Sequence, residues 1–78
     1  MASRQQNEAK FATWQQTPDG GRVYGLEVRG RHGWTARYLK QVDREENTLR
    51  FWQEIYDEDG KLIETHQKFP VDTGHQRE

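Results

Sequence analysis

Thr48-Leu49-Arg50-Phe51-Trp52-Gln53-Glu54-Ile55-Tyr56 is the stretch on which the fold class turns. Read as a helix, it is capped by Asp43 with Glu46 completing a capping box, and Leu49, Trp52 and Tyr56 fall at helical spacing. Read as a strand, it sends Leu49, Phe51 and Ile55 to one face and Trp52 and Tyr56 to the other. Two features favour the strand. Threonine, phenylalanine, tryptophan, isoleucine and tyrosine are strand formers. The segment also runs into Asp57-Glu58-Asp59-Gly60, a hairpin loop with glycine where a left-handed residue is needed. A loop of Glu58, Asp59 and Gly60 sets Ile55 opposite Ile63, Leu49 opposite Phe69 and Trp52 opposite His66. The same register puts Glu54 opposite Glu64, an unfavourable like-charge pair. The partner strand covers about 61–69 and stops at Pro70, which has no N–H to give a ladder.

Turns organise the residues before this stretch as well. Pro18-Asp19-Gly20-Gly21 joins strands at about 11–17 and 22–29, with Trp14 opposite Tyr24 and Ala12 opposite Leu26. Gly30-Arg31-His32-Gly33 is the next break. A loop from Gly30 to His32 places Val28 opposite Trp34, Leu26 opposite Ala36 and Tyr24 opposite Tyr38, with the third strand at about 34–42. Ala12, Trp14, Tyr24, Leu26, Val28, Trp34, Ala36 and Tyr38 then share one face. Asp43 to Asn47 is a polar connector. Residues 1–10 read as a loose polar segment, although Ser3 and Gln6 have capping-box spacing.

These pieces predict an all-β fold: a five-stranded antiparallel meander over 11–70, flanked by a flexible segment at 1–10 and a tail at 71–78. The alternative is an α+β fold with a helix at 43–56 or 3–16. One sheet with an aromatic face needs a cover, so it either curls into a small roll or barrel or is completed by dimerisation. On this reading Trp14 and Trp34 belong to the core, and truncating either to alanine unfolds the chain.

Composition limits what the chain can do. With 78 residues it is one small domain, and having no cysteine it has neither disulfides nor thiolate chemistry. No apolar run approaches the roughly 18 residues of a membrane span, and the N-terminus lacks a signal-peptide pattern, so a cytoplasmic protein is expected. Val, Ile, Leu and Phe contribute only 13 residues, and aromatics must supply much of the core. The net charge of −1 conceals a basic segment of +4 at 22–44 and an acidic segment of −5 at 45–78. Such segments pair across neighbouring strands, or form a basic patch or a self-complementary surface.

Three functional classes follow. The first is a small non-enzymatic binding module, a homodimer or the partner of another protein, acting through an aromatic sheet face or an edge strand. Its candidate core or interface residues are Trp14, Tyr24, Trp34, Tyr38, Trp52 and Tyr56. The second binds single-stranded nucleic acid or another anion through the basic 29–44 segment, using Arg29, Arg31, His32, Arg37 and Lys40. A pI near 6.3 weighs against it. The third is a small enzyme. His66, Asp72 and His75 offer divalent-metal ligands if the chain after Phe69 folds back. Arg37, Lys40, Glu54 and His66 make the basic and acid–base set of a metal-free ribonuclease. No phosphate-cradling glycine loop and no serine triad is present, and no cofactor is called for.

Overall fold

Three of the five connections between successive strands are built alike. At Thr17–Gly21, Asp43–Asn47 and Asp57–Lys61 the amide of the first residue donates to the carbonyl of the fifth, at 2.9–3.0 Å. The amide of the fourth donates back to the carbonyl of the first, at 3.0–3.1 Å. The fourth residue is left-handed in each: Gly20 at φ 87°, Glu46 at φ 66° and Gly60 at φ 80°. Side chains reinforce the geometry. Asp43 Oδ1 accepts from the amides of Glu45 and Asn47, and Asp57 Oδ1 from those of Asp59 and Lys61. Asp19 accepts from the Thr17 hydroxyl and the Gly21 amide.

The computed structural model describes residues 3–77, with side chains up to Gly74. Helix α1 (Arg4–Lys10) is followed by β1 (Thr13–Gln16), β2 (Arg22–Arg29), a 3₁₀ turn (Arg31–Gly33) and β3 (Thr35–Val42). Then come β4 (Thr48–Tyr56), β5 (Leu62–Phe69) and β6 (Gly74–Arg77). The strands form one antiparallel sheet in the order β1-β2-β3-β4-β5-β6. The expected all-β meander is therefore present, and its first five strands fall where the turns put them. The sheet is open, with β1 and β6 at its edges, so the barrel alternative is set aside. The helix considered at 43–56 is replaced by a turn and β4, because the β-branched and aromatic residues there pair on both sides.

The helix considered at 3–16 is confined to Arg4–Lys10, inside the segment expected to be loose. Ser3 and Gln6 do form the capping box, each side chain accepting from the other's amide. Beyond Phe69 the chain turns back to add β6 to β5, in what the sequence reading left as a tail.

Registers decide the faces. The first hairpin pairs Trp14 with Tyr24, as its turn predicted. The second is displaced by two residues, because the loop is Arg31–Gly33 and Gly30 pairs with Trp34. Val28 thus faces Ala36, and Leu26 faces Tyr38, instead of Trp34 and Ala36. A shift of two keeps every side chain on its predicted face. The β4–β5 hairpin begins in the expected register, with Tyr56 opposite Leu62. Irregularities at Ile55/Tyr56 and Phe51/Trp52 then slide it, first by one residue and then by another. Glu54 lies opposite Thr65 rather than Glu64, which removes the like-charge clash, and Trp52 opposite Gln67 rather than His66.

The core is small. Phe11, Tyr24 and Val42 are buried together, with Leu26 and Phe51 packed against them. Phe11 and Tyr24 rings lie 5.6 Å apart, and Trp14 stands 6.0 Å from Tyr24. Trp14 and Trp34 are both 40% exposed, which overturns their assignment to the core. One lies on a four-residue edge strand and the other beside a loop, where few neighbours can cover an indole. Gly21 has a different role. A Cβ there would meet the Val42 carbonyl oxygen at 2.1 Å, so only glycine lets β2 start this close to the end of β3.

Candidate functional site

Cross-strand rows map the face that carries α1. One row runs Trp14–Tyr24–Lys40–Phe51–Phe69, the next Leu26–Tyr38–Gln53–His66, and the third Val28–Ala36–Ile55–Glu64. The helix covers only the end nearest Tyr24 and Val42. One carboxylate gathers most of the bonds that hold it there. Glu46 accepts from Asn7 Nδ2 at 2.9 Å, from the Tyr24 hydroxyl at 2.8 Å and from Arg4 Nε at 3.1 Å. Burial alone would raise its pKa, but donation from Asn7, Tyr24 and Arg4 outweighs burial and holds it below the ordinary glutamate range. Burial, then the bond to Glu46, pushes the Tyr24 phenol up. Asn7 also accepts from Lys40 Nζ at 2.9 Å, and Arg22 reaches Glu8 at 2.6 Å.

No element covers the other two rows among the described residues, although Lys68 reaches over Tyr38 and Asp72 meets His66. Val28 is exposed, Ala36, Tyr38 and Ile55 are half-buried, and Trp34 lies at the same end of the sheet. Trp34 is steadied by its indole N–H, which donates to Glu58 at 3.0 Å. Across β2, β3 and β4 the two rows carry no acidic or lysine/arginine side chain; charge enters at the β5 end, where Glu64 is the backbone partner of Arg77 and His66 is bonded to Asp72.

The opposite face is charged. Glu27, Arg37 and Glu54 form one cross-strand row, and the Arg37 guanidinium lies between two carboxylate-bearing neighbours, 3.6 Å from Glu27. Glu54 fixes two aromatics, accepting from Trp52 Nε1 at 3.2 Å and from the Tyr56 hydroxyl at 2.8 Å. Burial, followed by the bond to Glu54, raises the Tyr56 phenol. Arg50 stacks on Trp52 at 4.2 Å. A cleft of about 550 Å³ opens at the end of this face, lined by Arg29 and Arg37 but also by Glu27, Asp57 and Glu58. The basic and acidic segments of the chain thus meet across β3 and β4.

Tyr24 is buried, and Trp34 and Tyr38 lie on or beside the open rows of the helix side. Trp14 is at the β1 edge of that side, while Trp52 and Tyr56 are on the charged face. Of the anion-binding set, Arg29 and Arg37 share the cleft and Arg31 and His32 form the adjoining turn. Lys40 is on the opposite side of the sheet, against Asn7. The ribonuclease-like set is divided in the same way, with Arg37 and Glu54 on one face and Lys40 and His66 on the other. Four residues split by a sheet cannot converge on one phosphodiester.

The return after Phe69 does bring His66 and Asp72 together, Nε2 to Oδ1 at 2.7 Å. The Gly74 amide, then His66, hold the Asp72 carboxyl below its ordinary range. His75 is the backbone partner of His66, and its side chain lies outside the described residues. Among the described residues no three potential ligands cluster as a metal site, and no helix is long and apolar enough to cross a membrane. Comparison with protein-family models, curated proteins and solved structures finds no match to this chain.

Asn7 and Glu46 are the residues that sequence reasoning missed. Their signal was the loop length: Asp43 to Asn47 repeats the five-residue frame of Asp57 to Lys61, with Glu46 standing where Gly60 stands.

Proposed function

We propose that this protein is a non-enzymatic interaction module that works as a homodimer, with the open rows of the helix side packed against the same rows of a second copy. The observation that carries this reading is the contrast between the two sides of the sheet. The Val28–Ala36–Ile55 row and its Leu26–Tyr38 neighbour are apolar and nearly free of charge, as the centre of an interface is. The other side carries charge, with Arg37 set between Glu27 and Glu54 in one cross-strand row. A two-fold contact also requires a patch that is complementary to itself, and an apolar patch meets that condition without any charge pattern.

Surface area supports the same reading. The chain exposes 5561 Å², whereas a compact folded monomer of this mass exposes about 5000 Å². The radius of gyration is 13.1 Å, against about 11.5 Å for a compact domain of this length. The excess of roughly 600 Å² approaches the ~800 Å² that each partner contributes to a standard interface.

Light scattering coupled to size exclusion tests the proposal. At about 100 μM a species of twice the chain mass is expected for the natural sequence. Val28→Lys, which alters an already exposed position, should return it to the 9.3 kDa of a single chain with an unchanged circular dichroism spectrum. A natural sequence that stays at 9.3 kDa overturns dimerisation, and a Val28→Lys protein that remains dimeric overturns the choice of face.

A further inference from the structure

Where α1 ends against the sheet, Lys10, Phe11, Lys40, Thr48, Phe51 and Phe69 line an open slot of about 260 Å³. Its walls are three phenylalanine rings, and its rim is cationic. Lys10 Nζ stands 5.6 Å from the Phe11 ring, and Lys68 Nζ 5.8 Å from Phe51 and 5.3 Å from Tyr38. Lys40, which lines the slot, donates from Nζ to Asn7. Among the described residues, none of these three ammonium groups has a carboxylate within ion-pair distance. Elsewhere Arg4, Arg22 and Arg37 each have one. Burial first, then repulsion by Lys10, hold the Lys40 ammonium below its ordinary range.

We propose that this slot is a binding site for a small organic carboxylate with an apolar aryl or short alkyl body. The body would lie among Phe11, Phe51 and Phe69, and the carboxylate would accept from Lys10 and Lys40 at the rim, with Lys68 completing the positive field. Charge complementarity selects an anion, because Lys10 and Lys40 both line the slot and neither has a carboxylate within ion-pair distance. The walls select one with an apolar body, because a fully hydrated ion would leave the rings wet. The volume selects a small one, being below the roughly 300–1000 Å³ of pockets that hold drug-sized ligands. The slot is at the end of the sheet covered by α1, away from Val28, so Lys10 and Phe11 report its occupancy apart from the dimer contact, whereas Lys68, which also stands over Tyr38, belongs to both.

The test is a titration of the full chain followed by amide and aromatic-ring NMR, with 2-naphthoate as probe. Neutral 2-naphthalenemethanol and inorganic phosphate serve as the two controls. Naphthoate should shift the amides of Lys10, Phe11 and Phe51 and the Phe69 ring saturably. The alcohol, lacking the charge-assisted bonds, should bind at least about tenfold more weakly. Phosphate should leave the rings unmoved. Lys10→Gln alters an exposed side chain. Combined with Lys68→Gln, it should weaken naphthoate about tenfold or more while the circular dichroism spectrum is retained. Equal binding of the alcohol, saturation by phosphate alone, no shift up to about 10 mM naphthoate, or undiminished binding by the folded double variant would each overturn the site.

Discussion

Replacing Glu46 with glycine sets two effects of opposite sign against each other, and the structure says which is larger. Glu46 is left-handed, at φ 66°, in a position that Gly20 and Gly60 fill in the equivalent turns. Glycine relieves about 1–2 kcal/mol of backbone strain there. It also removes the acceptor for Asn7, Tyr24 and Arg4, the first two of which are buried. A hydrogen bond to a charged group contributes about 1.5–3 kcal/mol, and the half-exposed Arg4 falls below that range. Losing the two buried bonds therefore costs roughly 3–6 kcal/mol, leaving a net destabilisation of about 1–5 kcal/mol. A chain of this length holds about 4–12 kcal/mol in total, and at about 4–8 °C per kcal/mol the melting temperature should fall by about 4 °C at the least. Urea and thermal melts give the number. A double-mutant cycle with Tyr24→Phe identifies its source, since removing the hydroxyl should cost about 1–2 kcal/mol in the natural chain and almost nothing beside Glu46→Gly. A Glu46→Gly protein as stable as the natural one, or more so, would refute the reasoning: turn strain would then outweigh the carboxylate.

Acid should act through the same group. A carboxylate held below its unfolded value contributes stability that is fully present above about pH 4.5, the ordinary glutamate value, and is lost as pH falls through the folded pKa. Glu46→Gln should flatten that part of a stability–pH curve, and an unchanged acid limb would count against it. Gly21→Ala places a methyl group against the Val42 carbonyl oxygen. A loss of about 3 kcal/mol or more is expected in urea melts, and a change within 0.5 kcal/mol would show that β2 can move aside. Tyr24→Ala empties the core and should cost about 3–5 kcal/mol. Trp14→Ala, at the sheet edge, should cost less than half as much in the same assay, and equal losses would return Trp14 to the core.

How far the fold could be read depended on how many residues competed for each turn. Pro18-Asp19-Gly20 left one solution, and Trp14 does pair with Tyr24. The next break has glycine at both Gly30 and Gly33, and framing the loop on Gly30 displaces the register by two residues, which leaves the faces unchanged. The bulges in β4 and β5 were harder. Nothing local marks Ile55/Tyr56 or Phe51/Trp52 as irregular, yet they send His66 to the side of the sheet opposite Trp52. The like-charge pair of Glu54 and Glu64 was the one available clue, and the bulge is what removes it. At the candidate surface, membership of the face came from period-two alternation and survived. Coverage of that face did not, because it hangs on Asn7 and Glu46, thirty-nine residues apart in the chain.

That separation has a kinetic consequence. Every strand pairs with its neighbour in sequence, so the sheet can be assembled from local hairpins, each closing a short loop at little entropic cost. The helix belongs to a different regime. Its own seven residues are too few to persist alone, and its anchor does not exist until the Asp43–Asn47 turn has formed. Docking of α1 is therefore a late event. In native-state hydrogen exchange the amides near Asn7 and Phe11 should open as a separate unit, ahead of the strands beneath them.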